Sequence, residues 1–211
     1  MKIELKNIIP ATLPHLVVSD SQVWGKKYIF DAGESILAHA PSGKGKSTLL
    51  HIIYGLRKDF TGELALGEQL CQKSNMDAWQ DARSSKLSIL FQDMRLFSHL
   101  TTRENLALLP VLSSHIPPVE EMCERLGVLA FLDQLVGTLS YGQRQRIALI
   151  RSLCKPFRWL LLDEPFSHLD PANTELAVQL IEEVRMLNHA GLILTSLQRE
   201  SPLLCRHHLQ L

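Results

Sequence analysis

Apolar and polar residues alternate from Met1 to Lys6, the two-residue period of a strand with one face buried. The first 40 residues read as short strands broken by Pro10, Pro14, Gly25 and Gly33. Ser35–His39 forms a strand that ends in a turn rich in Gly, Pro and Ser, and the apolar run Leu49–Ile53 behind it reads as helix. Residues 60–75 suggest a hairpin and residues 86–91 a strand. Thr101 and Glu104 have capping-box spacing, opening a helix that Pro110 should stop. A helical pattern runs from Pro118 to Gly137 with a break at Gly127. It is followed by a helix over 141–154, a buried strand over 158–162, a helix over 171–188, a strand from Gly191 to Thr195 and strand-like residues 209–211. Strands alternating with helices predict an α/β fold with a largely parallel sheet. The stretch 95–150, helical throughout, predicts a separate lobe.

Composition removes several classes. With 22 Lys+Arg against 22 Asp+Glu, the 211-residue chain has formal net charge +0, without the basic excess of a nucleic-acid binder. Hydrophobic residues at 45% and charged residues at 21% fit a packed core rather than disorder. The run Trp159–Leu162 is far too short to span a bilayer, and the N-terminus lacks the apolar core of a signal peptide. Cys71, Cys123, Cys154 and Cys205 form no Cys-x-x-Cys pair, and the nine histidines show no His-Glu-x-x-His spacing. Neither a zinc site nor a disulfide framework is expected, which suits a reduced, cytoplasmic chain.

The decisive segment is Ala40-Pro41-Ser42-Gly43-Lys44-Gly45-Lys46-Ser47-Thr48, placed after a strand and before a helix. In that context successive backbone N–H groups, freed by the glycines and backed by a helix N-terminus, form an anion nest. Lys46 is expected to reach the β- and γ-phosphates of a nucleotide, and the Ser47 hydroxyl to ligate Mg²⁺. Ala40 stands where the pattern has its first glycine, and Pro41 holds it in the extended region, where alanine is tolerated.

The apolar strand Trp159–Leu162 delivers two acids, Asp163 and Glu164, to its C-terminal end, the edge at which open α/β sheets bind ligands. Asp163 is expected to hold Mg²⁺ and Glu164 to orient the water that attacks the γ-phosphate.

Leu139-Ser140-Tyr141-Gly142-Gln143-Arg144-Gln145-Arg146 narrows the class. Ser140 alone reads as a helix N-cap. The octet resembles the signature motif of ATP-binding cassette (ABC) ATPases, with Tyr141 at a position that is often glycine. Gln92 then resembles the Q-loop glutamine, a metal and water contact, and Ser167–Asp170 the D-loop. The resemblance covers the whole chain and is nearest to compact lipoprotein-release and macrolide-export cassettes. It implies an α/β P-loop NTPase with a RecA-like core, a small antiparallel β subdomain and a helical subdomain. The core and β subdomain would take 1–92 and 155–211, the helical subdomain 93–154. It also implies ATP and Mg²⁺ as cofactors and a second cassette as partner. Ser140, Tyr141, Gly142, Gln143 and Asp170 would meet that partner's ATP in trans. Integral membrane permease subunits would receive the motion, holding the chain at the inner face of the membrane, with export as the expected direction. Met94, Leu96, Phe97 and Leu100 are apolar candidates for the permease contact, with core packing as the alternative.

Two positions depart from the family pattern. Where the family places a γ-phosphate histidine after the last parallel strand, this chain has Ser196 and Leu197. Losing one such donor typically slows catalysis by about a hundredfold, on the order of 3 kcal/mol. The Ser196 hydroxyl, directly or through a water, is expected to recover part of that as a catalytic contact, so slow hydrolysis is expected, with a hydrolysis-impaired clamp or regulator as the alternative. The window that usually supplies an aromatic adenine platform holds His15, with Trp24 beyond it as platform or core residue, so weak discrimination between ATP and GTP is expected. Neutral charge disfavours a DNA-repair or translation ATPase, and residues 139–146 disfavour a small-molecule kinase.

Overall fold

The computed structural model describes residues 1–71, 74–109, 113 and 115–211, with backbone alone for 15–17. Two sheets organise it. In the first, β1 (Ile3–Pro10) lies between β2 (Lys27–Phe30) and β4 (Phe60–Leu66), antiparallel to both, and β4 pairs with β5 (Gln69–Leu70). Ile3, Leu5 and Ile8 turn inward; the register slips between Lys6 and Ile9, where Asn7 takes a positive φ of 51°. Gly62 crosses that bulge so closely that a Cβ would sit 2.3 Å from the Asn7 carbonyl, which restricts the position to glycine.

The second sheet is parallel, in the order β6 (Leu87–Leu90), β7 (Trp159–Asp163), β8 (Gly191–Ser196), β3 (Ser35–His39), β9 (His207–Gln210). Its central strands β7, β8 and β3 are buried on both faces, the burial that near-continuous apolar runs indicate. Leu160, Leu162, Leu192 and Leu194 pack to one side with α6 (Tyr141–Leu153) and α7 (Pro171–Leu187). Trp159, Leu161 and Ile193 pack to the other with α2 (Lys46–Ile53) and the antiparallel sheet. Trp159 lies flat over its register partner Gly191, where a Cβ would come within 2.6 Å of the ring, and its Nε1 donates to the Met1 carbonyl at 2.8 Å. Because β8 separates β7 from β3, the C-terminal ends of all three strands lie side by side.

Several details differ from the sequence expectation. Short helices occupy His15–Asp20 (α1) and Met76–Asp81 (α3), the latter running into a wide π turn over Ala82–Lys86. Both are too short to show an apolar period. The capping box of α4 (Thr102–Ala107) is present, and Pro110, expected to stop that helix, lies outside the described residues. Between Pro118 and Gly137 only α5 (Val119–Arg125) is α-helical; the rest is two 3-10 turns, Leu129–Phe131 and Val136–Thr138. A positive φ of 62° at Gly127 ends the helix there. No helix among the described residues is long and apolar enough to cross a membrane.

Candidate nucleotide-binding site

The loop after β3 folds as its glycines allow. Gly43 and Gly45 take φ of 79° and 97°, and Gly45 caps α2. A Cβ on Gly45 would lie 2.9 Å from Leu13 and 3.2 Å from the Trp24 indole, so two apolar side chains crowd the loop at this glycine. The cleft above it, about 370 Å³, is lined by Ser42, Gly43, Gly45, Lys46, Ser47 and Thr48, with Gln92 and Glu164 opposite and Thr12, Leu13 and Leu197 at its rim. Lys46 is 6% exposed, and its Nζ donates to the carbonyls of Ala40 at 2.8 Å and Pro41 at 3.3 Å. It also pairs with Glu164 Oε1 at 3.6 Å. The cation that would meet a nucleotide's phosphates is thus held by oxygen atoms of its own chain. Lys44 lies outside the cleft lining and is half-buried.

Asp163 ends β7, fully buried, and accepts a hydrogen bond from Thr195 Oγ1 at 2.6 Å. Thr195, on neighbouring β8, is equally buried and also takes the Glu164 N–H on its Oγ1 and its carbonyl, both at 3.3 Å. Sequence reasoning missed it, since 32 residues separate it from Asp163 and only the β7–β8 register joins them. Glu164 has φ 49°, a left-handed conformation that typically costs a non-glycine residue about 1–2 kcal/mol. The kink turns its carboxylate back into the cleft toward Lys46.

A second cavity, about 320 Å³, joins Ser47, Gln92 and Asp163 with His51 and Asp93. Burial lowers the His51 pKa, against the pull of the Asp163 charge, and this favours a neutral imidazole. No group of three or more His, Cys, Asp or Glu side chains among the described residues could hold a metal alone. A hydroxyl, an amide oxygen and one carboxylate nonetheless suit Mg²⁺, which prefers hard oxygen donors and completes its shell with waters and substrate phosphates.

The signature segment opens α6. Ser140 Oγ accepts the Gln143 N–H at 3.3 Å and Gln143 Oε1 accepts the Ser140 N–H at 2.8 Å, a reciprocal cap. Gln145 and Arg146 anchor the helix: Gln145 donates to the Pro165 carbonyl at 2.7 Å, and Arg146 to the Leu126 carbonyl at 2.7 Å and to Asn173 at 2.8 Å. Asp170 caps α7 through the Asn173 N–H at 2.8 Å, which lowers its carboxyl pKa. Ser140, Tyr141, Gln143 and Asp170 lie on the surface or partly open to it, none of them lining the phosphate cleft of their own chain.

One expectation needs correction, and two readings left open are decided. Ser196 does not line the phosphate cleft: its Oγ accepts the Gln198 N–H at 3.0 Å, its carbonyl accepts the Ala40 N–H at 3.4 Å, and the residue lines a neighbouring cavity with Glu164 and Phe166. Leu197, not singled out as a site residue from sequence, is the residue of that turn that reaches the phosphate cleft. Trp24 is fully buried behind Gly45, as core rather than as a base platform, while the His15 side chain lies outside the described residues. Of the four apolar candidates after Gln92, Met94 is buried, Leu96 packs on the core and Leu100 is half-buried, leaving Phe97 exposed.

Comparison with known proteins agrees with this geometry. The thiamine import ATP-binding protein ThiQ of Vibrio vulnificus (strain YJ016) is 38% identical over 159 residues, covering 73% of this chain and 65% of that protein. ThiQ of Yersinia pestis is 36% identical over 170 residues, covering 78% and 69%. The matched part of this chain spans just under two thirds of the Vibrio protein's length. The dimeric structure of MJ0796, a bacterial ABC transporter cassette, superposes with a TM-score of 0.79 at 24% identity, covering 93% of this chain and 88% of that one. A bacterial Atm1-family exporter with ATP bound gives 0.73 at 21%, covering 92% and 34%. At those identities the two structures show the shared cassette fold. Residues 27–167, from β2 through the paired acids to Ser167, match the ABC transporter family, and the chain belongs to it.

Proposed function

We propose that this chain is the ATP-binding and ATP-hydrolysing subunit of an ABC transporter. The observation that carries the reading is the convergence of Lys46, Ser47, Gln92, Asp163 and Glu164 on two adjoining cavities at the C-terminal edge of the parallel sheet. Lys46 and the nest at Gly43–Lys46 would bind the β- and γ-phosphates, releasing the internal carbonyl contacts. Glu164 would hold the attacking water in line, its carboxylate freed as Lys46 turns to phosphate. Ser47, Gln92 and Asp163 would hold Mg²⁺, which supplies charge neutralisation at the phosphates.

Two copies would pack around two ATP, with Ser140, Gly142 and the N-terminus of α6 facing the partner's γ-phosphate, an arrangement suited to the exposed capped helix start seen here. Residues 93–154 would move as the helical subdomain against the core formed by the remainder, and separate permease subunits at the inner face of the membrane would take up that motion. Export, the direction expected from sequence, gains no support from the relatives named above; both ThiQ proteins are described as import subunits, and we adopt import as the direction. A second reading, a clamp that binds ATP and turns it over poorly, is favoured by one observation, the capture of Ser196 Oγ in its own turn.

One experiment separates the two readings. ATP hydrolysis is measured for the purified chain and for its complex with co-purified membrane subunits, each against Glu164→Gln. Turnover in the wild type well above the variant supports the transport ATPase; equal turnover in both settings leaves the clamp.

A further inference from the structure

The signature helix starts on a tyrosine whose side chain is already engaged within its own chain. The Tyr141 phenol donates to the main-chain carbonyl of Gln92 at 3.4 Å, a long but directed contact. Its ring meets the His168 ring at 4.1 Å between centroids, tilted 47°, and the Arg144 guanidinium stands 5.7 Å from its centroid. His168 is fixed in turn, its Nδ1 lying 2.8 Å from Ser167 Oγ. The next residue along, Gly142, lies beside the same loop: a Cβ there would be in ordinary contact, 3.4 Å from the His168 carbonyl. One side chain therefore touches the loop after β6 and the loop after β7 at once. The first carries Gln92, which lines both cavities of the site; the second begins at Glu164. Tyr141 is 37% exposed, so these contacts lie outside the hydrophobic core and the fold does not depend on them. A glycine at this position would have neither contact.

We propose that Tyr141 is a positioning residue that latches the start of the signature helix to the Gln92 main chain and to His168, fixing the Gln92 side chain toward the metal cavity. Its main-chain N–H remains available to a partner's phosphate, so the side chain acts in cis while the helix end acts in trans. The catalytic part of this inference rests on the ATPase reading above; the latch itself does not.

Tyr141→Phe keeps the ring and removes the hydroxyl. Hydrogen exchange of the nucleotide-free chain reads the latch directly: the Met94 and Arg95 amides, bonded to Phe91 and Asp93 at 2.9 and 2.7 Å, should exchange about three- to tenfold faster, the factor one ordinary hydrogen bond carries, with α2 unchanged. Unaltered exchange at residues 91–97 overturns the latch. For the catalytic part, Tyr141→Phe should lower kcat by about three- to tenfold at unchanged KM and change nothing further in a Gln92→Ala background. Independent, multiplying effects of the two substitutions overturn the positioning role. Absence of turnover in the wild type itself would refute the ATPase reading instead, and the exchange measurement would still decide the latch.

Discussion

Glu164→Gln tests whether the site is held in check by its own charges. In the nucleotide-free chain Lys46 and Glu164 face each other at 3.6 Å with side chains 6% and 14% exposed. At about 4 Å and an effective dielectric near 20, such a pair interacts by about 4 kcal/mol before desolvation is subtracted. The Ala40 and Pro41 carbonyls still hold Lys46 in the variant, and glutamine keeps the shape and an acceptor oxygen, so the net loss should be about 1–2 kcal/mol. Urea unfolding of the nucleotide-free protein should show that loss as a lower midpoint at unchanged slope. ATP must break the pair to reach Lys46 in the wild type but not in the variant, and one carboxylate charge near the γ-phosphate is also gone. Affinity for a non-hydrolysable ATP analogue, measured by calorimetry, should therefore rise by about tenfold. A variant with wild-type stability and wild-type affinity would refute the idea that the Lys46–Glu164 pair competes with nucleotide.

Thr195→Val should destabilise the nucleotide-free chain by about 2 kcal/mol, because the buried Asp163 carboxylate loses a charge-assisted donor at 2.6 Å; a change in urea midpoint equivalent to less than about 0.5 kcal/mol would contradict it. Lys155 is buried, its ammonium donating to the Arg83 carbonyl beside the Tyr54 ring, and burial lowers its pKa to about 8. The folded state binds this proton less tightly than the unfolded state, so the penalty is present in full below pH 8 and fades as pH rises from about 8 toward 10.5. Lys155→Met should accordingly stabilise the fold at pH 7 by about 1–2 kcal/mol after the lost hydrogen bond, read as a higher melting temperature, and gain nothing at pH 10; an equal gain at both values would exclude titration as the cause. Among the described residues lining the phosphate cleft none is aromatic, and base stacking is typically worth about 1–3 kcal/mol, so kcat/KM for ATP and GTP should differ by less than about tenfold; a hundredfold preference would reveal a base-reading group elsewhere.

What could be read from sequence was what depends on near neighbours. The phosphate loop is a run of nine residues whose glycines, lysine and serine act through spacing alone, and the caps at Ser140 and Thr101 are set by a residue three positions on. The paired acids follow from an apolar strand ending in charge. What escaped depends on strand order. Thr195 reaches Asp163 only because β8 lies beside β7, and Leu197 enters the cleft only because Ser196 is drawn into a turn. Trp24 could be read as platform or core until Gly45 was seen to leave it no path to solvent. The 3-10 turns after α5 carry apolar residues at roughly helical spacing, since Val128, Leu132 and Val136 all point into the core, and a pattern of buried positions does not distinguish that packing from an α-helix.

The strand that carries the phosphate loop is bordered by β8 and β9, both formed by the last fifth of the chain. Gln22, which precedes β2, exchanges two hydrogen bonds with Gln210, which lies 188 residues away. Emerging from the ribosome, the loop is therefore made before it is framed, because its two flanking strands must be synthesised before it can be held in place. Nascent and prematurely terminated chains that already contain the entire Ala40–Thr48 segment would lack a working nest for nucleotide. Competence to bind would then arrive in one step once β9 has joined the sheet, so shorter chains that carry the loop would hold no nucleotide.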